Sequence, residues 1–243
     1  MRRLLPDPVD SVTLTHAYPY PVDGVWLRAN MVSSVDGAAT IDGRAGGLGN
    51  KTDQQVLGLL RALADVVIAG AGTVTAEGYG PGRARPEYQE LRAAAGQLPA
   101  PGMVVVSRSL QLDLASRYFT EATQRPIVVT CEAAPPDRLA AAQKVAHVVF
   151  AGDASVSAAR MVDALSELGH RRLLCEGGPT LLAQVAADGV LDELCLTLSP
   201  MLVGGSSRRI FDGELLDPAL KLQLTQLLQD DEDFLYASYR VKK

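Results

Sequence analysis

Four short stretches of this chain carry residue types suited to holding anions and handling protons. In Leu173-Leu174-Cys175-Glu176-Gly177-Gly178-Pro179-Thr180-Leu181-Leu182, an apolar strand-like run ends in an acidic residue. Two glycines then permit a tight turn, and Pro179 stands where a helix can begin without wasting a backbone donor. The free N–H groups of Thr180 and Leu181 would point at whatever lies above the turn, and orphan donors added to a helix dipole make a phosphate site. A plain strand-to-helix turn competes with this reading, but Glu176 at the end of a buried strand is harder to explain that way.

The second stretch, Gly70-Ala71-Gly72-Thr73-Val74-Thr75, begins like a G-x-G-x-x-G dinucleotide fingerprint and lacks its third glycine. A dinucleotide-binding strand leads directly into a long helix. Here Gly78, Gly80, Pro81, Gly82 and Pro86 follow, so the segment reads as a glycine-rich floor and a loop with room for one short helical turn. Arg83, Arg85 and Arg92 beyond it could face an anionic substrate or simply solvent. Third, Val104-Val105-Val106-Ser107-Arg108 delivers a hydroxyl and a guanidinium to a strand end, a pair that suits a phosphate monoester such as the 2′-phosphate of NADPH; an exposed loop arginine is the alternative. Fourth, Asp53 follows a glycine-rich loop (residues 42–47) near the start of a helix, where a carboxylate is also favoured by the helix dipole alone.

The elements that must position these residues alternate in period. Strands are expected at Trp26 to Val32, Ala38 to Ile41, Asp65 to Ala69, Met103 to Val106, Pro126 to Thr130, Val145 to Phe150, Arg172 to Cys175 and Asp192 to Ser199. Helices are expected after Thr52 as the cap, over Pro135 to Gln143, over Ser157 to Leu168 with Gly169 just past the end, and from Pro179. Two last strands, Lys221 to Leu228 and Phe234 to Val241, flank Asp230-Asp231-Glu232-Asp233. The pattern predicts an α/β fold with a mostly parallel central sheet finished by a C-terminal antiparallel hairpin.

At 243 residues, against roughly 150 per domain, one large domain (25–243) behind a Pro-rich leader (1–24) is the first expectation. The chain is 47% hydrophobic and 21% charged, which is globular composition and excludes disorder as the main state. Its net charge of −5, with both signs spread along the chain, argues against nucleic acid or an anionic membrane as partner. No apolar run approaches the ~18 residues that span a bilayer. Cys131, Cys175 and Cys195 lie in apolar runs without ligand spacing, and His16, His147 and His170 are scattered, so neither disulfides nor a metal site is expected. The odd cysteine count and the lack of an apolar stretch after Met1-Arg2-Arg3 point to a reducing, cytoplasmic setting.

Taken in order, Leu27 to Gly37 with its Ser34-Val35-Asp36-Gly37, Leu60-Arg61-Ala62 with Gly70 to Val74, Glu176 to Leu181, and Leu191-Asp192-Glu193-Leu194 resemble one family. It is the reductase domain of the riboflavin-biosynthesis deaminase/reductase family, whose fold is that of dihydrofolate reductase. The likeness spans about Trp26 to Arg209. No H-x-E with a later P-C-x-x-C is present, so the chain resembles the stand-alone pyrimidine reductase.

The resemblance implies a three-layer dihydrofolate-reductase-like fold, NADPH as cofactor, a small phosphorylated ribosylaminopyrimidine as substrate and a homodimer. It places Thr73 and Glu77 near the nicotinamide nucleotide, Ser107 and Arg108 on the 2′-phosphate, and Gly177, Gly178, Pro179, Thr180, Leu181 and Leu182 on the pyrophosphate. Ser33, Asp53, Arg61 and Glu176 fall at substrate positions, with Asp53 as the catalytic candidate and Arg83 as the candidate for the substrate phosphate. Glu77 replaces a more usual Asp, and Gly47 stands where some members carry Trp. Two other readings remain at this point: reduction of a dihydropteridine, and NADP binding without catalysis.

Overall fold

The computed structural model describes residues 1–242. Ten strands form one sheet: β1 (Arg2–Leu5), β2 (Trp26–Ser34), β3 (Val66–Gly70), β4 (Gly102–Val106), β5 (Ile127–Thr130), β6 (His147–Phe150), β7 (Arg172–Cys175), β8 (Glu193–Ser199), β9 (Leu222–Gln229) and β10 (Leu235–Val241). Their order is β1-β9-β10-β8-β2-β7-β3-β4-β5-β6. The seven strands from β8 to β6 are parallel, and β10, β9 and β1 add to β8 as antiparallel neighbours. The helices are α1 (Leu14–Ala17), α2 (Lys51–Leu63), α3 (Ala71–Ala76), α4 (Gln89–Ala94), α5 (Arg117–Thr120), α6 (Pro136–Val145), α7 (Ala158–Glu167) and α8 (Pro179–Ala187).

Residues alternate across the central strands, as the two-residue period of a strand requires. Val66, Ile68, Leu173 and Cys175 face a core built with Met161 and Leu165 of α7 and Leu181 and Val185 of α8. Val67, Ala69 and Leu174 face a second core with Val56, Leu59 and Leu60 of α2 and Tyr118 and Phe119 of α5. Because both faces are covered, these strands read as near-continuous apolar runs. The result is the three-layer architecture expected from the resemblance.

Most expected elements are present with ends displaced by a residue or two, and two expectations, Ala38 to Ile41 and the Thr52 cap, need correction. Ala38 to Ile41 is no strand: the Ala38 N–H goes to the Ser34 hydroxyl, the Ala39 N–H goes to the Arg208 carbonyl, and only an isolated bridge joins Ile41 to Arg44. Thr52 lies inside α2, whose cap is Asn50, its side-chain oxygen accepting from the Asp53 N–H at 2.9 Å. After Gly70 comes α3, only six residues long before the loop, the short helical turn that the glycines and prolines leave room for. The leader supplies the edge strand β1 and is pinned further along by Arg28, only 1% exposed, which donates to Glu193 at 2.8 Å and to the carbonyls of Tyr18 and Pro19. The three cysteines are free and buried, and burial pushes the Cys175 and Cys195 thiols up to about 12.

Candidate active site

From β3 the chain winds outward to β6, and then β7 returns to the other side of β3. The segments that follow the two strands therefore leave on opposite faces, with Val74 of α3 in one core and Leu181 of α8 in the other. A crevice at the carboxyl ends of parallel strands where the winding reverses is where ligands bind in open α/β sheets. The cavity of about 1170 Å³ lies there. Single-ligand pockets run roughly 300–1,000 Å³, and this one lies just above that range.

Its floor is built from close backbone approach. The Gly70 N–H donates to the Gly177 carbonyl at 2.7 Å, Gly177 holds φ +79°, and a Cβ on Gly178 would lie 2.7 Å from the Thr73 hydroxyl. Only a glycine pair accommodates that turn without displacing its neighbours. Above it α8 begins with Pro179. Leu182 is the first residue whose N–H returns to Gly178, so the N–H groups of Thr180 and Leu181 precede the intrahelical ladder and face the cavity region.

At the end of β7, Glu176 is buried, and Arg61 of α2 grips it with two parallel bonds, Nε to Oε1 at 2.7 Å and Nη2 to Oε2 at 2.6 Å. The Tyr79 hydroxyl donates to Oε2 at 2.5 Å, and the Arg61 guanidinium lies 5.1 Å from the Tyr79 ring centre. Burial alone would weaken the Arg61 cation, but the adjoining carboxylate overrides it and raises the pKa. Burial, with Glu176 beside it, holds the Tyr79 phenol well above its ordinary value, so it stays a donor. Three of the four acceptor positions on Glu176 are thereby occupied, leaving one on Oε1.

Along α2, Asp53, Gln54, Leu57, Gly58 and Arg61 border the cavity. Burial raises the Asp53 carboxyl above its usual range, the Asp230 charge adds to this, and a hydrogen bond with Thr197 opposes it. The surroundings of Asp53 thus work toward its protonated form. A Cβ on Gly49 would lie 2.4 Å from Asp53 Oδ2, so the glycine leaves space for that carboxylate. Gly58, in mid-helix, costs roughly 0.5–1 kcal/mol relative to Ala.

The remaining candidates divide. Thr73, Glu77, Gly178, Pro179, Thr180, Leu181 and Arg83 share the cavity with Asp53, Arg61 and Glu176. Glu77 also accepts from the Ala45 N–H at 2.8 Å and so ties the glycine-rich loop to the end of α3. Ser33, Gly177 and Leu182 are not among the lining residues; Ser33 is buried in β2, where Asn30, Met31 and Val32 line the cavity instead. Ser107 and Arg108 stand outside it at the end of β4, the Ser107 hydroxyl accepting from the Leu110 N–H and Arg108 exposed. Arg92 is a correction: at 2% exposure it donates to the carbonyls of Ala62, Ala64 and Leu98, so it ends α2 and faces no anion.

The model of the RibD C-terminal domain matches residues 25–236. The chain belongs to that family. Among the relatives of this RibD-type domain is the 2,5-diamino-6-ribosylamino-4(3H)-pyrimidinone 5′-phosphate reductase of Methanothermobacter thermautotrophicus, 31% identical over 89% of this chain and 98% of that protein. The enzyme of the same name from Archaeoglobus fulgidus is 29% identical over 78% and 87%. Among solved structures, a pyrimidine reductase-like protein of Corynebacterium diphtheriae is 27% identical, with a TM-score of 0.81 over 90% of this chain and 92% of that one.

Sequence reasoning missed three residues that line or brace this RibD-type site. Asn50 could have been found from the Asn50-Lys51-Thr52-Asp53 spacing, which resembles a capping box. Asp230, read as turn, is buried and accepts from Asn50 at 2.9 Å and Tyr236 at 2.8 Å, bracing the start of α2 from the hairpin. Tyr79 carried only the weak signal of a lone aromatic between Gly78 and Gly80.

Proposed function

We propose that this protein is an NADPH-dependent reductase that converts the ribosylamino group of a phosphorylated 2-amino-pyrimidinone to the open ribitylamino chain. The observation that carries the reading is the joining, in one family member, of a large cavity at the winding reversal with the Glu176–Arg61–Tyr79 cluster and Asp53 on its walls. The curated relatives are named for this class of substrate, in its 2-amino form.

The donor set fits a nicotinamide dinucleotide. The glycine turn and the N–H groups of Thr180 and Leu181 suit its pyrophosphate, Thr73 and Glu77 flank the nicotinamide side, and Ser107 with Arg108 suits the 2′-phosphate at the outer strand end. When bound, this cofactor supplies a hydride. The sugar opens to an imine, C1′ accepts the hydride, and the nitrogen takes one proton, so that C=N becomes CH–NH. Asp53 is the residue to hold that proton on its carboxyl oxygen, because burial favours its neutral form. Arg61 and Glu176 fix the substrate: the guanidinium has three N–H groups left after its pair with Glu176, and these suit a carbonyl or phosphate oxygen. Closeness of C1′ to the nicotinamide then does much of the catalytic work.

The test is NADPH oxidation with the phosphorylated 2-amino pyrimidine, its deaminated 2-oxo counterpart and dihydrofolate in parallel. The first should be preferred. Oxidation with dihydrofolate alone, or NADPH binding with no oxidation in any arm, refutes the reading.

A further inference from the structure

Two carboxyl groups meet at the start of α2 in opposite surroundings. Asp230, buried in the turn between β9 and β10, has every acceptor position filled. Its Oδ1 takes the N–H groups of Glu232 and Phe234, each at 3.0 Å, and its Oδ2 takes the Asn50 amide at 2.9 Å and the Tyr236 hydroxyl at 2.8 Å. Burial alone would raise its pKa, but these donors outweigh it and keep the carboxylate ionised. Asp53 draws only the Thr197 hydroxyl to its side chain among the described residues, and burial together with the Asp230 charge outweighs that one bond.

The fold brings the two together on one face of the sheet. Thr197 of β8 stands directly opposite Tyr236 of β10, and it shares the side of β8 that carries Cys195, the side that α2 covers. Asn50 closes the circuit from the helix: its Nδ2 donates to Asp230, and its Oδ1 accepts the Asp53 N–H at 2.9 Å and lies 3.1 Å from the Tyr236 hydroxyl. The titratable groups that bear on Asp53 are Asp230 and Tyr236 from the hairpin and Tyr18 from the end of α1. Burial first holds both phenols well above their ordinary value, so Asp230 is the charged member of the three. On α2 itself Lys51 is exposed and Arg61 is taken by Glu176.

We propose that Asp230 is a positioning residue for Asp53, a fixed anion in the β9–β10 turn that holds the first turn of α2 through Asn50 and opposes loss of the Asp53 proton. Two neighbouring carboxyl groups do not both ionise cheaply; the one with four donors takes the charge and the other keeps its proton. This rests on the reductase reading above, in which Asp53 holds the proton that goes to the nitrogen. It gives the C-terminal hairpin a part in the chemistry beyond extending the sheet.

Asp230→Asn and Asp230→Ser both remove the charge, and the serine keeps an oxygen for the N–H groups of the turn should the amide fit them poorly. In a carbon-detected NMR titration of the ligand-free protein, the carboxyl resonance of Asp53, assigned by its loss in Asp53→Asn, should titrate above about 3.9 in the native chain. In both Asp230 variants its midpoint should lie roughly one pH unit lower, the order expected for removing a neighbouring like charge. The pH above which kcat for the phosphorylated 2-amino pyrimidine declines should move down with it. Tyr236→Phe loosens the same hairpin contact and leaves the charge in place, so neither midpoint should fall. A merely structural role would lower kcat at every pH in all three variants with the Asp53 midpoint unmoved, and an unmoved midpoint overturns the proposal whatever the activity. If the native chain reduces no pyrimidine while the resonance moves as expected, the reductase reading fails and the coupling of the two carboxyl groups stands.

Discussion

Replacing Arg61 by Met should destabilise the protein more than replacing Glu176 by Gln, although the two changes break the same ion pair. The asymmetry comes from burial: the Arg61 side chain is 32% exposed and that of Glu176 only 3%. Without Arg61, a carboxylate is left in the protein with a single donor, Tyr79. Leaving a buried charge unpaired costs about 3–5 kcal/mol, and entry of cavity water puts the expected loss near the lower end, about 3 kcal/mol. Met preserves most of the volume of the arginine stem, so little of this loss is packing. In Glu176→Gln the amide oxygen still accepts one bond, and the freed guanidinium, already a third exposed, takes water. The expected loss is about 1–1.5 kcal/mol. The double variant removes both charges and should be more stable than the sum of the two losses by at least about 1 kcal/mol. Urea unfolding of the ligand-free protein, with unchanged m-values, reads all three. Equal losses, or a larger one for Glu176→Gln, would refute the argument that water reaches the arginine side of the pair more readily than the carboxylate side.

Asp53→Asn should lower turnover by about 100-fold or more, the typical scale for losing a proton-transfer group, with a much smaller change in NADPH affinity. The same variant should be no less stable at neutral pH. A carboxyl whose native pKa is raised binds its proton more tightly in the folded state, so its contribution to stability declines as pH rises from about 3.9 through the native value, and the variant should lose that slope. Denaturation at several pH values checks the sign. Asn50→Ala removes the α2 cap together with bonds to Asp230 and Tyr236 and should cost about 2 kcal/mol by the same measurement; a loss under 0.5 kcal/mol, the usual scatter of surface changes, would mean that the hairpin does not brace the helix.

What could be read in advance was what local physics enforces. The apolar runs Val66 to Ala69 and Leu173 to Cys175 had to be central strands, because both faces of each are buried. Gly177-Gly178-Pro179 had to be a turn into a helix. Gly169 had to end α7, and it does so at φ +90°. Ala38 to Ile41 failed because a strand needs an edge to pair with, and the neighbouring loop at Arg208 had already taken its backbone. Arg92 failed because a cation in a glycine- and proline-rich segment reads the same whether it serves a ligand or the carbonyls at a helix end.

Local sequence sets most of the element types, the acidic charge balance and the set of residues at strand ends. Which of them meet was decided by the tertiary structure. Glu176 is 115 residues from Arg61 and 97 from Tyr79, and Asn50 is 180 from Asp230. Separations of that size carry no local signal; they are closed only when β7 inserts between β2 and β3 and the β9–β10 hairpin extends the sheet beyond β8. Gly58 makes the same point at one residue. Its composition says only that the helix is weakened there, and the reason lies in the Arg85 guanidinium, which the fold brings against it from 27 residues further along the chain.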